Sequence, residues 1–138
     1  MSDVIEHMRK VPLFHGMPAY ALETVADRAS ETTFADGDTV TREGEPGETF
    51  YIVIEGRLQV TQHGTLVREL GPGDFLGEIS LVDGRPRTAT AVAVGPVNAI
   101  VIERPAFLEL MDRFGAVRLG ILMALSDRIR HDQHEKVV

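Results

Sequence analysis

The chain has 138 residues, no cysteine, and 14 Lys and Arg against 21 Asp and Glu, a formal charge of −7. Those figures exclude disulfides and thiolate metal sites, and they argue against nonspecific nucleic-acid binding, which rests on many cationic contacts to phosphates. The length suits one domain over residues 1–138, large enough to bury roughly 68–70% of its unfolded surface without covalent staples.

No apolar run approaches the roughly 18 residues of a membrane span, and Met1 to Met8 carries acidic residues and no signal-peptide core. The expectation is a cytoplasmic protein that binds neither membrane nor nucleic acid. An anionic ligand must then be attracted locally. Ser2 and Asp3 can cap a short helix with Val4, Ile5 and Met8 at spacings of three and four, ending before Pro12. Leu13 to Pro18 reads as a turn. Pro18 suits the start of a second helix, with Leu22, Val25, Ala26 and Ala29 as its apolar stripe opposite Glu23, Asp27 and Arg28. Residues 1–29 thus form an N-terminal helical part.

From Ser30 the period falls to two, and β-rich runs alternate with Gly, Asp and Pro about every ten residues. The runs are Glu31 to Phe34, Thr39 to Thr41, Thr49 to Ile54, Leu58 to Gln62, Leu66 to Leu70, Thr88 to Val94 and Val97 to Ile102. Turns fall at Asp36-Gly37-Asp38, Gly44 to Gly47, Glu55-Gly56-Arg57, His63-Gly64-Thr65 and Gly95-Pro96, where glycine supplies positive φ. Seven or eight strands over 30–103 predict a small barrel or sandwich. Helical spacing returns at Arg104-Pro105 with Phe107, Leu108, Leu110 and Met111, pauses at Phe114-Gly115, and resumes from Ala116 to about His131. That last helix carries an apolar stripe of Leu119, Leu122, Leu125 and Ile129, whose default role is packing against its own barrel. The C-terminal helices span 104–134, and the polar tail from His131 to Lys136 is expected to fray.

Phe75 to Thr90 places a glycine, a carboxylate, a short apolar turn and an arginine between two strand-like runs. Backbone amides at Gly77 to Ser80, opening one helical turn, offer a phosphate the donors of a helix N-terminus. Arg87 adds a full positive charge. Glu78 repels a phosphate unless it faces a hydroxyl donor such as a ribose, so a cradle of both polarities suggests a nucleotide. Taken alone, Gly77-Glu78 is ordinary strand-to-helix punctuation and an arginine is usually solvated. The case rests on all positions agreeing at once.

These residues resemble the phosphate-binding cassette of the cyclic nucleotide-binding domain family. That cassette reads Phe-Gly-Glu, apolar, small, apolar, apolar, a few residues, Arg, a small residue, Ala. Here it runs Leu76-Gly77-Glu78-Ile79-Ser80-Leu81-Val82, then Asp83 to Pro86, then Arg87-Thr88-Ala89, with Leu76 where an aromatic is frequent. Gly37-Asp38, Gly44-Glu45-Pro46-Gly47, Tyr51 to Gly56 and Gly71-Pro72-Gly73-Asp74 match the family's glycine turns. The resemblance covers about Phe14 to about Ile129.

The resemblance implies a mainly β fold with flanking α. It is a double-stranded β-helix, or jelly-roll-like β-roll, of about eight strands with N-terminal helices and two C-terminal helices. It also implies that Glu78 and the Gly77 amide take the ribose 2′-hydroxyl, while Arg87 and the amides of Ile79, Ser80 and Ala89 hold the cyclic phosphate. Such guanidinium–anion bonds are about twice as strong as neutral ones, and lysine lacks the planar fork. A missing hydroxyl leaves Glu78 unpaired, which selects ribose over deoxyribose. In the family a threonine at position 88 can reach a phosphate oxygen and a syn guanine, yet members selective for cyclic AMP also carry a hydroxyl there. The choice between cyclic AMP and cyclic GMP therefore stays open, and Thr88 is also a plain β-former. Val60 and Leu70 are candidates to line the base. The last helix is implied as a lid over the base and, as in relatives of the catabolite activator protein, a dimer seam. Arg128 or Arg130 there could touch the ligand, although cations near a helix C-terminus also favour the dipole.

A barrel metalloenzyme would need convergent imidazoles with an open coordination position. His7, His15, His63, His131 and His134 form no His-x-His pair on a strand. None of the four serines lies in Gly-x-Ser-x-Gly, so nucleophilic catalysis has no constellation either. The expectation is a sensor, not an enzyme, without cofactor or metal, signalling to a protein effector or pairing as a homodimer through its C-terminal helix. Phosphate capture would draw the cassette inward, shift Leu81 and Val82, and pivot the Phe107 to Phe114 helix near Gly115. No winged helix follows the last helix, so transcription-factor activity is not expected. The Met1 start favours an intact N-terminus, and the chain is either complete or cut from a longer one. The alternative is a degenerate β-roll adaptor or dimerisation module that binds no nucleotide, against which intact Glu78 and Arg87 argue.

Overall fold

The computed structural model describes the backbone of residues 2–132 and the side chains of residues 4–130. The proposed capping side chains of Ser2 and Asp3, and the tail beyond Asp132, lie outside the described residues. The order of elements is α1 (Ser2–Arg9), a 3-10 turn (Pro12–Phe14), α2 (Ala19–Asp27), β1 (Ala29–Phe34), β2 (Thr39–Thr41), β3 (Thr49–Gln62), β4 (Thr65–Leu70), β5 (Phe75–Leu76), α3 (Glu78–Asp83), β6 (Thr90–Glu103), α4 (Arg104–Arg113) and α5 (Gly115–Asp132). The architecture is mainly β with flanking helices, as expected. Two details shift at α2: Pro18 is its N-cap, and Ala29 leaves the helix to open β1.

The strands form one antiparallel sheet in the order β1-β6-β3-β4, with β2 added to β6 and β5 to β3. Each of the two long strands absorbs what the sequence reads as two strands and a turn. Glu55-Gly56-Arg57 is a bend inside β3, where the register to β6 shifts on both sides of Glu55. Gly56 sits at φ +93°, and a Cβ there would stand 2.3 Å from the Pro96 carbonyl oxygen. Only glycine allows the two strands to bend together so closely. With each long strand contributing two arms, the six continuous strands supply the eight of a β-roll. The two-residue β5 escaped the sequence reading because it is too short to show alternation, and β6 starts at Thr90, leaving Thr88 and Ala89 in the preceding loop.

Apolar side chains gather in two clusters. The larger joins the helices to one end of the roll through Phe50, Ile52, Phe75, Leu81, Ile102 and Phe107, and the smaller fills the other end with Val53, Leu58, Val60, Leu70 and Leu76. Phe50 stands at the centre of the larger, with ring centroids 4.8 Å from Phe107 and 5.4 Å from Phe75. This stack places α4 against the strand that precedes the cassette.

The stripe expected on α5 is corrected. Val117 and Ile121 are buried, whereas Leu119, Leu122 and Ile129 are each more than half exposed. The helix carries apolar residues on most of its circumference, so spacing alone does not select the packed face. Gly120 does: a Cβ there would lie 2.7 Å from Leu13 Cδ1, so the helix backbone rests directly on the 3-10 turn. Truncation of the aromatic stack by Phe107→Ala is expected to cost about 3–5 kcal/mol, read as a lower urea midpoint with unchanged m-value.

Candidate functional site

The cassette is built by two glycines that only their lack of a side chain permits. Gly77, at φ +99°, turns β5 into α3, and a Cβ on it would meet the Thr49 carbonyl oxygen at 2.6 Å and Arg87 Nη1 at 2.8 Å. Gly84, at φ +72°, ends the helix. The first amides of α3 have no acceptor within so short a helix. Of its side chains, Glu78, Ser80 and Leu81 are buried, while Ile79 and Val82 are exposed.

Arg87 is buried in the loop that follows. Its Nη1 donates to the Gly77 carbonyl at 3.1 Å and its Nη2 to the Thr49 carbonyl at 2.7 Å. Those bonds use two of a guanidinium's five donors, and no carboxylate lies within ion-pair distance of it among the described residues. Burial lowers its pKa, opposed by the fields of Tyr51, Glu78 and Glu48. The charge is held by neutral dipoles, so an incoming anion meets it without displacing a carboxylate.

Glu78 is 1% exposed. Its Oε2 accepts from Arg128 Nη1 at 2.5 Å, while its Oε1 is buried without a hydrogen-bond partner. Arg128 also donates to the Phe75 carbonyl, and its guanidinium lies 5.1 Å from the Phe75 ring centroid. Burial pushes the Glu78 carboxyl up from the ordinary range, opposed chiefly by Arg128, then by the residue's own backbone amide and, more weakly, by Arg68 and Arg87. A buried acceptor lacking a donor costs free energy until one arrives. The group suits a ligand hydroxyl.

These groups face one cavity of about 390 Å³, within the range of roughly 300–1,000 Å³ for small-molecule sites. Its lining brings together Leu76, Gly77, Glu78, Ile79, Ser80, Arg87, Thr88 and Ala89 of the cassette with Val60, Leu70 and Arg128. Arg130 is exposed and is not part of the lining. The structure adds Thr41, Gln62, Arg68, Leu125 and Ile129. Gln62 and Arg68 were legible in principle, since each lies two residues from a named candidate, Val60 or Leu70, on the same face of a strand. Gln62 Nε2 donates to the Thr88 carbonyl at 3.1 Å, and Thr41 Oγ1 to that of Ala89 at 3.2 Å, which tie the loop to the barrel wall.

Among the described residues, no three His, Asp or Glu side chains gather to hold a metal, and no helix is long and apolar enough to cross a membrane. His63 pairs with Glu43 at the β3–β4 turn. The His131 and His134 side chains lie outside the described residues.

With a raised folded-state pKa, Glu78 contributes stability that is fully present below the ordinary carboxylate value of about 4.3 and is lost as pH rises through the raised value. The stability of the wild type relative to Glu78→Gln is therefore expected to be lower at about pH 7 than at about pH 4. Urea titrations at the two pH values check it; an equal or larger difference at the higher pH would mean that Arg128 outweighs burial.

Comparisons with known proteins bear on this geometry. A family model described as cyclic nucleotide-binding domain matches residues 31–114. The cAMP-dependent protein kinase regulatory subunit of Dictyostelium discoideum is 36% identical over 113 residues, covering 76% of this chain and 35% of the relative. The regulatory domain of Toxoplasma gondii PKA, solved with cAMP, superposes with a TM-score of 0.83 at 32% identity, covering 91% of this chain and 49% of that one. The catabolite activator protein of Thermus thermophilus gives a TM-score of 0.79 at 29% identity, covering 90% of this chain and 61% of that one. The chain thus spans about a third of the length of the curated relative and about half of the regulatory-domain structure.

Proposed function

The chain belongs to the cyclic nucleotide-binding domain family, and from that premise we propose that it is a regulatory sensor capturing cyclic AMP or cyclic GMP. The observation that carries the reading is the coexistence, in one cavity, of a buried guanidinium with no carboxylate partner and a buried carboxylate oxygen with no donor, among the described residues. A cyclic phosphate answers the first and a ribose 2′-hydroxyl the second. Arg87 and the amides of Ile79, Ser80 and Ala89 take the phosphate; Glu78 and the Gly77 amide take the hydroxyl. Val60, Leu70 and the α5 side chains Leu125 and Ile129 cover the base, and Arg128 is the lid's polar contact. The cAMP-bound Toxoplasma relative supports a cyclic nucleotide as ligand.

Transmission follows the polar contacts. Arg104 Nε at the start of α4 donates to the Leu81 carbonyl at 3.0 Å, so an inward shift of α3 pulls on α4. Arg118 donates to the Met111 and Asp112 carbonyls, tying the end of α4 to α5. Ligand capture moves α5 only through a difference in affinity between its two positions. The exposed Leu119 and Leu122 offer that helix a surface for a protein effector or a second copy. The domain works without catalysis, and the lack of cysteine is compatible with the cytoplasm.

Cyclic AMP or cyclic GMP at 100 times its dissociation constant is expected to add about 2.7 kcal/mol of stability, read as a thermal shift. Arg87→Ala should keep the fold and lose the shift. Flat melting of the wild type with both nucleotides would favour an adaptor that binds neither.

A further inference from the structure

We propose that Gly47, in the loop between β2 and β3, is a positioning residue whose bare Cα forms the seat of the Arg87 guanidinium. The inference rests on the reading of Arg87 as the phosphate ligand and adds to it a residue outside the cassette. A Cβ on Gly47 would stand 2.1 Å from Arg87 Nε, 2.3 Å from Cζ and 2.6 Å from Cδ. No non-bonded atoms approach so closely, so the side chain of Arg87 lies directly across the glycine. Gly77 borders Arg87 Nη1 from its own loop, where a Cβ would stand at 2.8 Å. The main chains are held together as well: Arg87 N donates to the Glu45 carbonyl at 2.8 Å and Gly44 N to the Arg87 carbonyl at 2.9 Å. Nη2 then reaches the Thr49 carbonyl, two residues beyond Gly47.

The requirement at Gly47 is one of space and not of turn geometry. Gly44 and Gly77 adopt φ of +87° and +99°, where any side chain is strained, whereas Gly47 lies outside the left-handed region. Alanine at position 47 is not strained by a left-handed φ. It meets Arg87, whose flexible end is the part that gives way. A single methyl group therefore removes the cation from the phosphate position while the loop stays folded. Gly44 is the natural control, since it has open space around a built Cβ but a strained φ.

The test follows the Arg87 Nε–H proton resonance, assigned by its loss in Arg87→Lys, together with calorimetric titration of cyclic AMP and cyclic GMP. Gly47→Ala is expected to erase the resonance and to weaken nucleotide binding about thirtyfold or more. Gly44→Ala should lower the melting temperature and keep the resonance. Should Gly47→Ala unfold, adding Arg87→Ala restores the fold by clearing the methyl group's space. Retention of the resonance in Gly47→Ala, nucleotide binding as tight as the wild type's, or, where Gly47→Ala unfolds, a double variant that is no more stable would overturn the seat. A wild type that binds neither nucleotide, with the resonance still erased by Gly47→Ala, leaves the seat standing and removes the ligand reading.

Discussion

A guanidinium kept largely from water, with no carboxylate beside it among the described residues, is the constraint around which this structure is arranged. Moving a charge out of water is costly, and an ion pair is the usual compensation. Arg87 instead meets the main-chain carbonyls of Gly77 and Thr49. Such dipoles stabilise the cation partly, and the remaining field is directed at whatever anion enters. The neighbouring carboxylate, Glu78, is treated in the opposite way: one oxygen is paired with Arg128 and the other is left without a donor. Two opposite charges thus share a cavity without neutralising each other, which suits a ligand carrying both an anion and a hydroxyl.

Holding those charges apart needs rigid backbone on several sides. The Phe50 stack pins β3 next to β5, and β5 delivers Gly77 at the start of α3. The loop 44–47 grips the main chain of Arg87 from the opposite side. Glycine recurs at these points for different reasons. Gly56 allows two strands to bend together, Gly77 combines a left-handed turn with a close approach, and Gly120 lets α5 rest on the 3-10 turn. Toward the C-terminal helices the cassette makes polar contacts from Leu81 to Arg104 and from Glu78 to Arg128, while Arg118 ties the end of α4 to α5. These contacts are the route along which the proposed displacement of α3 would reach α5.

Much of this was legible in the sequence. The change of apolar period near Ser30 and again near Arg104 marks the helix–roll–helix order, and the family resemblance carried by Gly77, Glu78 and Arg87 marks the cassette, whose residues line one cavity. Val60 and Leu70 join the same cavity because β3 and β4 alternate in and out with period two. Gly56 and Gly95 mark bends in the sequence, but whether a bend ends a strand depends on a partner strand bending with it. That partner is 40 residues away in β6 and invisible to local reading. Leu119, Leu122 and Ile129 show the same limit, since a helix whose apolar residues are spread around its circumference has no face until something docks on it. Tertiary structure alone decided that Gly120 meets Leu13, that Arg128 and not Arg130 reaches Glu78, and that Arg87 lies across Gly47. Each is a contact between distant segments, set by how closely two backbones approach, and residue types along one segment carry no measure of that distance.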